Sequence, residues 1–97
     1  MTRDDALRRL RLNEPPLRAL GVGALYLFGS VARDAAGPES DVDVFFDPAT
    51  ERFSLFDAMA VHEAVETALG SRVDVMTRSS LHPYLRARIE GEAQRAF

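Results

Sequence analysis

Short, nearly unbroken apolar runs alternate along this chain with longer segments in which apolar residues recur every three or four positions. That pattern predicts buried strands interleaved with amphipathic helices. Thr2 is placed to cap a first helix, with Asp5 three residues on as capping-box partner and a narrow stripe of Ala6, Leu7 and Leu10. Glu14-Pro15-Pro16 ends it, and Pro16 opens a further turn through Leu20 that Gly21 stops. Ala24–Phe28 is apolar throughout, as expected of a strand covered on both faces. A Gly29-Ser30 turn, a short helical segment and a Gly37-Pro38 loop then lead through Ser40 into a second strand, Asp41–Phe46, closed by Asp47-Pro48.

Ser54, with Asp57 three residues later, opens the longest helix, and Gly70 closes it. Ala58, Val61, Val65, Ala68 and Leu69 form its packing stripe, and His62 at the stripe border reads as a half-buried packing histidine. Arg72–Met76 is a third strand with Val73 and Val75 on one face and Arg72, Asp74 and Met76 on the other. After the polar Thr77–Ser80 loop, Pro83 fits the first turn of a last helix with Leu81, Leu85 and Ile89 facing the core. Tyr84 reads as packing, and Arg86, Arg88 and Arg95 as a solvated face. The expected fold class is therefore α/β: a small mixed β-sheet with packed helices, in a single domain spanning 1–97. The parallel pair is assigned to the strands joined through the Gly29–Ser40 crossover.

One strand carries the candidate chemistry. Successive strand side chains alternate in direction, so Asp41 and Asp43 share a face, with β-carbons about 7 Å apart. Val42, Val44 and Phe46 take the other face, toward a core. Aspartate is a poor strand former, and two like charges side by side cost energy unless a cation lies between them. Asp74 joins this face if the third strand pairs in register. Gly29 would let a phosphate approach the backbone, and Ser30 adds a hydroxyl where free N–H groups collect. Arg33 has two readings of equal standing: a contact to a triphosphate, or a surface residue neutralising the acids around it.

Composition narrows the classes. A net charge of −3 argues against a general nucleic-acid binder, which needs a basic surface. The absence of cysteine excludes disulfides and thiolate metal sites, and the absence of lysine excludes lysine nucleophiles and Walker-type phosphate binding. No apolar run approaches membrane-spanning length and the N-terminus is too charged for a signal peptide, so the expectation is a cytoplasmic protein without a membrane partner.

Gly29-Ser30, ten intervening residues, then Asp41-Val42-Asp43, with a strand aspartate at 74, resembles the signature of the DNA polymerase beta superfamily of nucleotidyltransferases. The length and the run from Ser54 to Ile89 are similar to the minimal nucleotidyltransferases, antitoxin partners of HEPN-domain toxins. The resemblance implies that fold and two Mg²⁺ or Mn²⁺ ions about 4 Å apart. Asp41 and Asp43 would hold one ion on the triphosphate, and Asp43 and Asp74 the other. Gly29, Ser30 and Arg33 would bind the nucleotide. It further implies transfer of AMP from ATP to a hydroxyl, a tyrosine of a HEPN toxin, with Asp74 also able to take the proton. One position departs: Asp34 stands where the family usually has glycine after the arginine, and an acid there is expected to repel the triphosphate or alter the turn. Two other classes stay open, an antitoxin that works by binding alone and a transferase acting on a small molecule.

Overall fold

In the computed structural model, which describes residues 1–97, Thr2 accepts a hydrogen bond from the Asp5 N–H and opens α1 (Arg3–Leu12). The Asp5 carboxylate does not complete a capping box. It turns instead to Arg8 and Arg9, three and four residues on. The two prolines sit in the first turn of α2 (Glu14–Ala19) rather than after a stop, because a helix start has no use for their missing N–H groups. β1 (Val22–Phe28) begins two residues earlier than expected. It runs into the single turn α3 (Gly29–Ala32), and after a loop comes β2 (Val42–Pro48). Ser54 and Asp57 form a full capping box at the head of α4 (Leu55–Leu69), and Gly70 ends it with φ +62°.

β3 (Val73–Thr77) is followed by a 3₁₀ turn (Arg78–Ser80), α5 (Arg86–Glu92) and the two-residue strand β4 (Gln94–Arg95). The last helix thus starts at Arg86, with Pro83 and Tyr84 in the turn before it. Tyr84 is exposed and packs on no core, and Leu85 is exposed as well, so the expected stripe keeps only Leu81 and Ile89. His62 is also exposed, with Nε2 at 3.2 Å from the Val73 carbonyl. β4 has no counterpart among the expected strands, since two polar residues carry no periodicity.

The sheet order is β3-β2-β1-β4. β1 pairs antiparallel with β2 and β4, and the parallel pair is β2 with β3. This corrects the expectation that the Gly29–Ser40 connection makes a parallel crossover. A crossover must carry the chain back along the whole strand. Four-residue α3 spans only about 6 Å, whereas the 15 residues of α4 span about 22 Å, matching a seven-residue strand. One sheet face buries Leu25, Leu27, Val42, Val44 and Phe46 against Leu10, Leu17, Val61, Val65 and Leu69 of the helices. On the other face Phe28 and Phe45 pack with Leu81, Tyr26, Met76 and Ile89. β1 is therefore covered on both faces, as its composition predicts.

Candidate active site

The second face is where the acids gather. β2 alternates, so Asp43, Phe45 and Asp47 lie on the face opposite Val42, Val44 and Phe46. The register sets Asp43 beside Asp74 of β3 and opposite Phe28 of β1. Gly29, the next residue, adopts φ +76°, and a β-carbon there would overlap the Asp43 carboxylate. This glycine is needed twice, for its left-handed backbone and for the space the aspartate occupies.

Burial raises the Asp43 carboxyl above the usual carboxylate range, and the charges of Asp74 and then Asp41 add to it, with Arg33 in opposition. A cation placed between these acids would offset the like-charge part of that shift. The donor set, carboxylate oxygens on adjacent strands, suits a hard divalent ion. Asp43 and Asp74 fit that role as they stand. Asp41 lies just ahead of β2, half exposed, and its Oδ1 meets Arg72 Nε at 3.2 Å. The three acids therefore influence one another but are not drawn into a closed ligand group.

Arg33 follows α3, and its Nη1 donates to Glu92 Oε2 at 3.1 Å. Beside it lies a cavity of about 160 Å³ lined by Phe28, Gly29, Arg33, Leu85, Arg88, Ile89 and Glu92. A larger cavity of about 340 Å³ lies between α2 and α4, lined by Leu17, Leu20, Ala60 and Ala64, and none of the three aspartates borders it. Asp34 takes φ +53°, the left-handed conformation that explains a family preference for glycine. Its carboxylate accepts from the Arg3 backbone N–H at 2.8 Å and approaches the Arg3 guanidinium, so its charge is engaged at the start of α1.

Sequence reasoning missed Arg78. Its Nε and Nη2 donate to both oxygens of Asp47 at 2.8 and 3.0 Å, and its Nη1 to Glu90 Oε2 at 2.7 Å. Its guanidinium lies 4.8 Å from the Tyr26 ring centre and 5.0 Å from that of Phe45. This one side chain ties α5, a wall of the smaller cavity, to the sheet. The available signal was Asp47, which shares the alternation of Asp43 and so faces the same way.

The family model for the nucleotidyltransferase domain matches residues 9–96. The chain belongs to the nucleotidyltransferase domain family. A predicted protein adenylyltransferase of Methanocaldococcus jannaschii is 39% identical over 79 residues, 81% of this chain and 84% of that protein. A solved structure of a predicted minimal nucleotidyltransferase superposes with a TM-score of 0.74 at 32% identity, covering 97% of this chain and 95% of the other. A chain from the complex of the tri-AMPylated Shewanella oneidensis HEPN toxin with its MNT antitoxin gives a TM-score of 0.58 at 21% identity, over 89% of this chain and 70% of that one. At that identity the likeness is one of fold alone. The four-stranded mixed sheet with packed helices is a nucleotidyltransferase fold, the chain is a nucleotidyltransferase by family, and the resemblance carried by Gly29-Ser30 and Asp41-Val42-Asp43 holds. No helix of this nucleotidyltransferase domain is long and apolar enough to cross a membrane.

Proposed function

We propose that this nucleotidyltransferase is a cytoplasmic antitoxin that transfers AMP from ATP to a tyrosine hydroxyl of a HEPN-domain toxin and so neutralises it. The observation that carries the reading is the in-register pair Asp43–Asp74 set against the Gly29 turn. Family membership supports the reaction type, and the M. jannaschii relative, named for protein adenylyl transfer, supports a protein acceptor. The antitoxin role rests on the fold shared with the MNT antitoxin.

In the reaction the acceptor oxygen forms a bond to the α-phosphorus of ATP while the bond to the bridging oxygen breaks, and pyrophosphate leaves. Gly29 and Ser30, at the turn where β1 meets α3, bind the phosphates beside Asp43, and Arg33 contacts the triphosphate through its planar fork. Asp74, exposed at the sheet face, takes the proton of the attacking hydroxyl. Asp43 and Asp74, joined by Asp41 on leaving Arg72, would hold Mg²⁺ or Mn²⁺, which when bound neutralises phosphate charge and polarises the α-phosphate. The Asp34 carboxylate is engaged by Arg3 at the start of α1, which offsets its charge.

The test is intact-mass spectrometry of the co-expressed HEPN-domain toxin after incubation with ATP and Mg²⁺, alongside a toxicity assay. Wild type should add the mass of one or more AMP groups, and Asp43→Asn and Asp74→Asn should not. Full protection by Asp43→Asn, with no mass gain from either protein, would leave binding alone as the antitoxin mechanism.

A further inference from the structure

We propose that Arg33 and Arg88 form a two-arginine clamp for the polyphosphate of the nucleotide, and that Glu92 holds its place in the free protein. The inference rests on the nucleotidyltransferase reading and adds to it a binding residue, Arg88, and a competing internal acid.

The Glu92 carboxylate lies between two guanidiniums. Its Oε2 meets Arg33 Nη1 at 3.1 Å, and its Oε1 meets Arg88 Nε at 3.6 Å. All three side chains line the 160 Å³ cavity beside Gly29, the residue that also makes room for Asp43. Two oxygens of one anionic group bridging two arginines is the arrangement a phosphate would take, since the guanidinium fork suits phosphate and carboxylate alike. The other arginines of this region are committed: Arg78 to Asp47 and Glu90, and Arg86 to Glu90.

The two halves of the clamp come from different elements, Arg33 from the residue after α3 and Arg88 from α5. Arg78 anchors α5 to the sheet through Glu90, which fixes where Arg88 and Glu92 stand. Glu92 is four residues from Arg88 on the same helix, so a polyphosphate that displaces it meets two guanidiniums released from the same acid. A carboxylate carries one negative charge and a triphosphate several, so the exchange favours the nucleotide, while a wandering single anion gains little. Glu92 therefore lowers affinity for the nucleotide and keeps the two like-charged arginines from repelling each other when the site is free.

The experiment is calorimetric titration of the full chain, in Mg²⁺, with ATP and separately with inorganic tripolyphosphate. Glu92→Gln should tighten both by roughly 3- to 10-fold, and Arg88→Gln should weaken both by about 10-fold, the scale of one charge-assisted hydrogen bond. A gain of affinity in Glu92→Gln cannot come from damage to the fold. Unchanged affinities in both variants, with ATP binding intact in wild type and lost in Asp43→Asn, would overturn the clamp and leave the transferase reading standing. Effects on ATP without effects on tripolyphosphate would overturn the assignment to the phosphates. No ATP binding by wild type or by Glu92→Gln would overturn clamp and reading together.

Discussion

Replacing Gly29 with alanine adds one methyl group at the point where β1 meets the Asp43 carboxylate. The new β-carbon would lie 3.1 Å from Asp43 Cγ and 3.2 Å from its Cβ, and would overlap a carboxylate oxygen, so Asp43 must rotate away. A left-handed φ costs an alanine about 1–2 kcal/mol, and an aspartate forced off its rotamer costs about 0.5–1.5 kcal/mol more. The sum, about 2.5 kcal/mol, is a fall of roughly 10–20 °C in melting temperature for a domain of this size. Gly91 supplies the matched control. It lies within α5, nothing stands within 4 Å of a β-carbon built there, and its φ is not positive. Gly91→Ala should raise the melting temperature by a few degrees, because alanine is the better helix former by about 1 kcal/mol. Differential scanning calorimetry of the two variants reads both signs, and ATP titration reads whether Asp43 has moved. A Gly29→Ala protein that melts within 2 °C or so of wild type and binds ATP equally well would refute this account of the turn.

Asp43→Asn should stabilise the metal-free protein while abolishing transfer. Its acid is raised in the folded state, so the stability it contributes is complete below its unfolded value near 3.9 and is lost as pH rises through the folded value. A melting series over the acidic range should show that loss in wild type and not in the variant. Arg78→Ala should cost about 2 kcal/mol in urea unfolding, after allowing for solvent around the Asp47 pair and counting the lost stacking on Tyr26 and Phe45. It should also flatten the acid side of the stability curve. Arg78 first and Arg86 second hold Glu90 below the usual range, a contribution present above its unfolded value and lost as pH falls through the folded one. Asp34→Gly exchanges backbone strain for the bond to Arg3 and should leave the AMP-transfer rate within about two-fold of wild type; a gain of 10-fold or more would mean that the acid opposes the triphosphate after all.

The site was legible in the sequence where it depends on neighbours along the chain. Alternation placed Asp43 opposite Val42 and Val44, a glycine after an apolar strand marked the turn, and Ser54 with Asp57 marked the head of α4. Each of these is a local property: the pleat has period two, only glycine takes a left-handed turn freely, and a cap spans three residues. The fold class followed as well, because apolar periodicity separates strands from helices before any packing is known. Strand direction did not follow, and the Gly29–Ser40 connection was assigned the wrong pairing, since direction depends on whether a connection can span the sheet. Nor could the sequence say that Asp41 would meet Arg72, that Arg78 would join Asp47 to Glu90 over two aromatic rings, or that Glu92 would lie between Arg33 and Arg88. Charged side chains are long and mutually exchangeable, so in a chain whose twelve basic residues are all arginine every acid has several partners in principle. Only the packed backbone, by fixing which ends come within a few ångströms, selects among them.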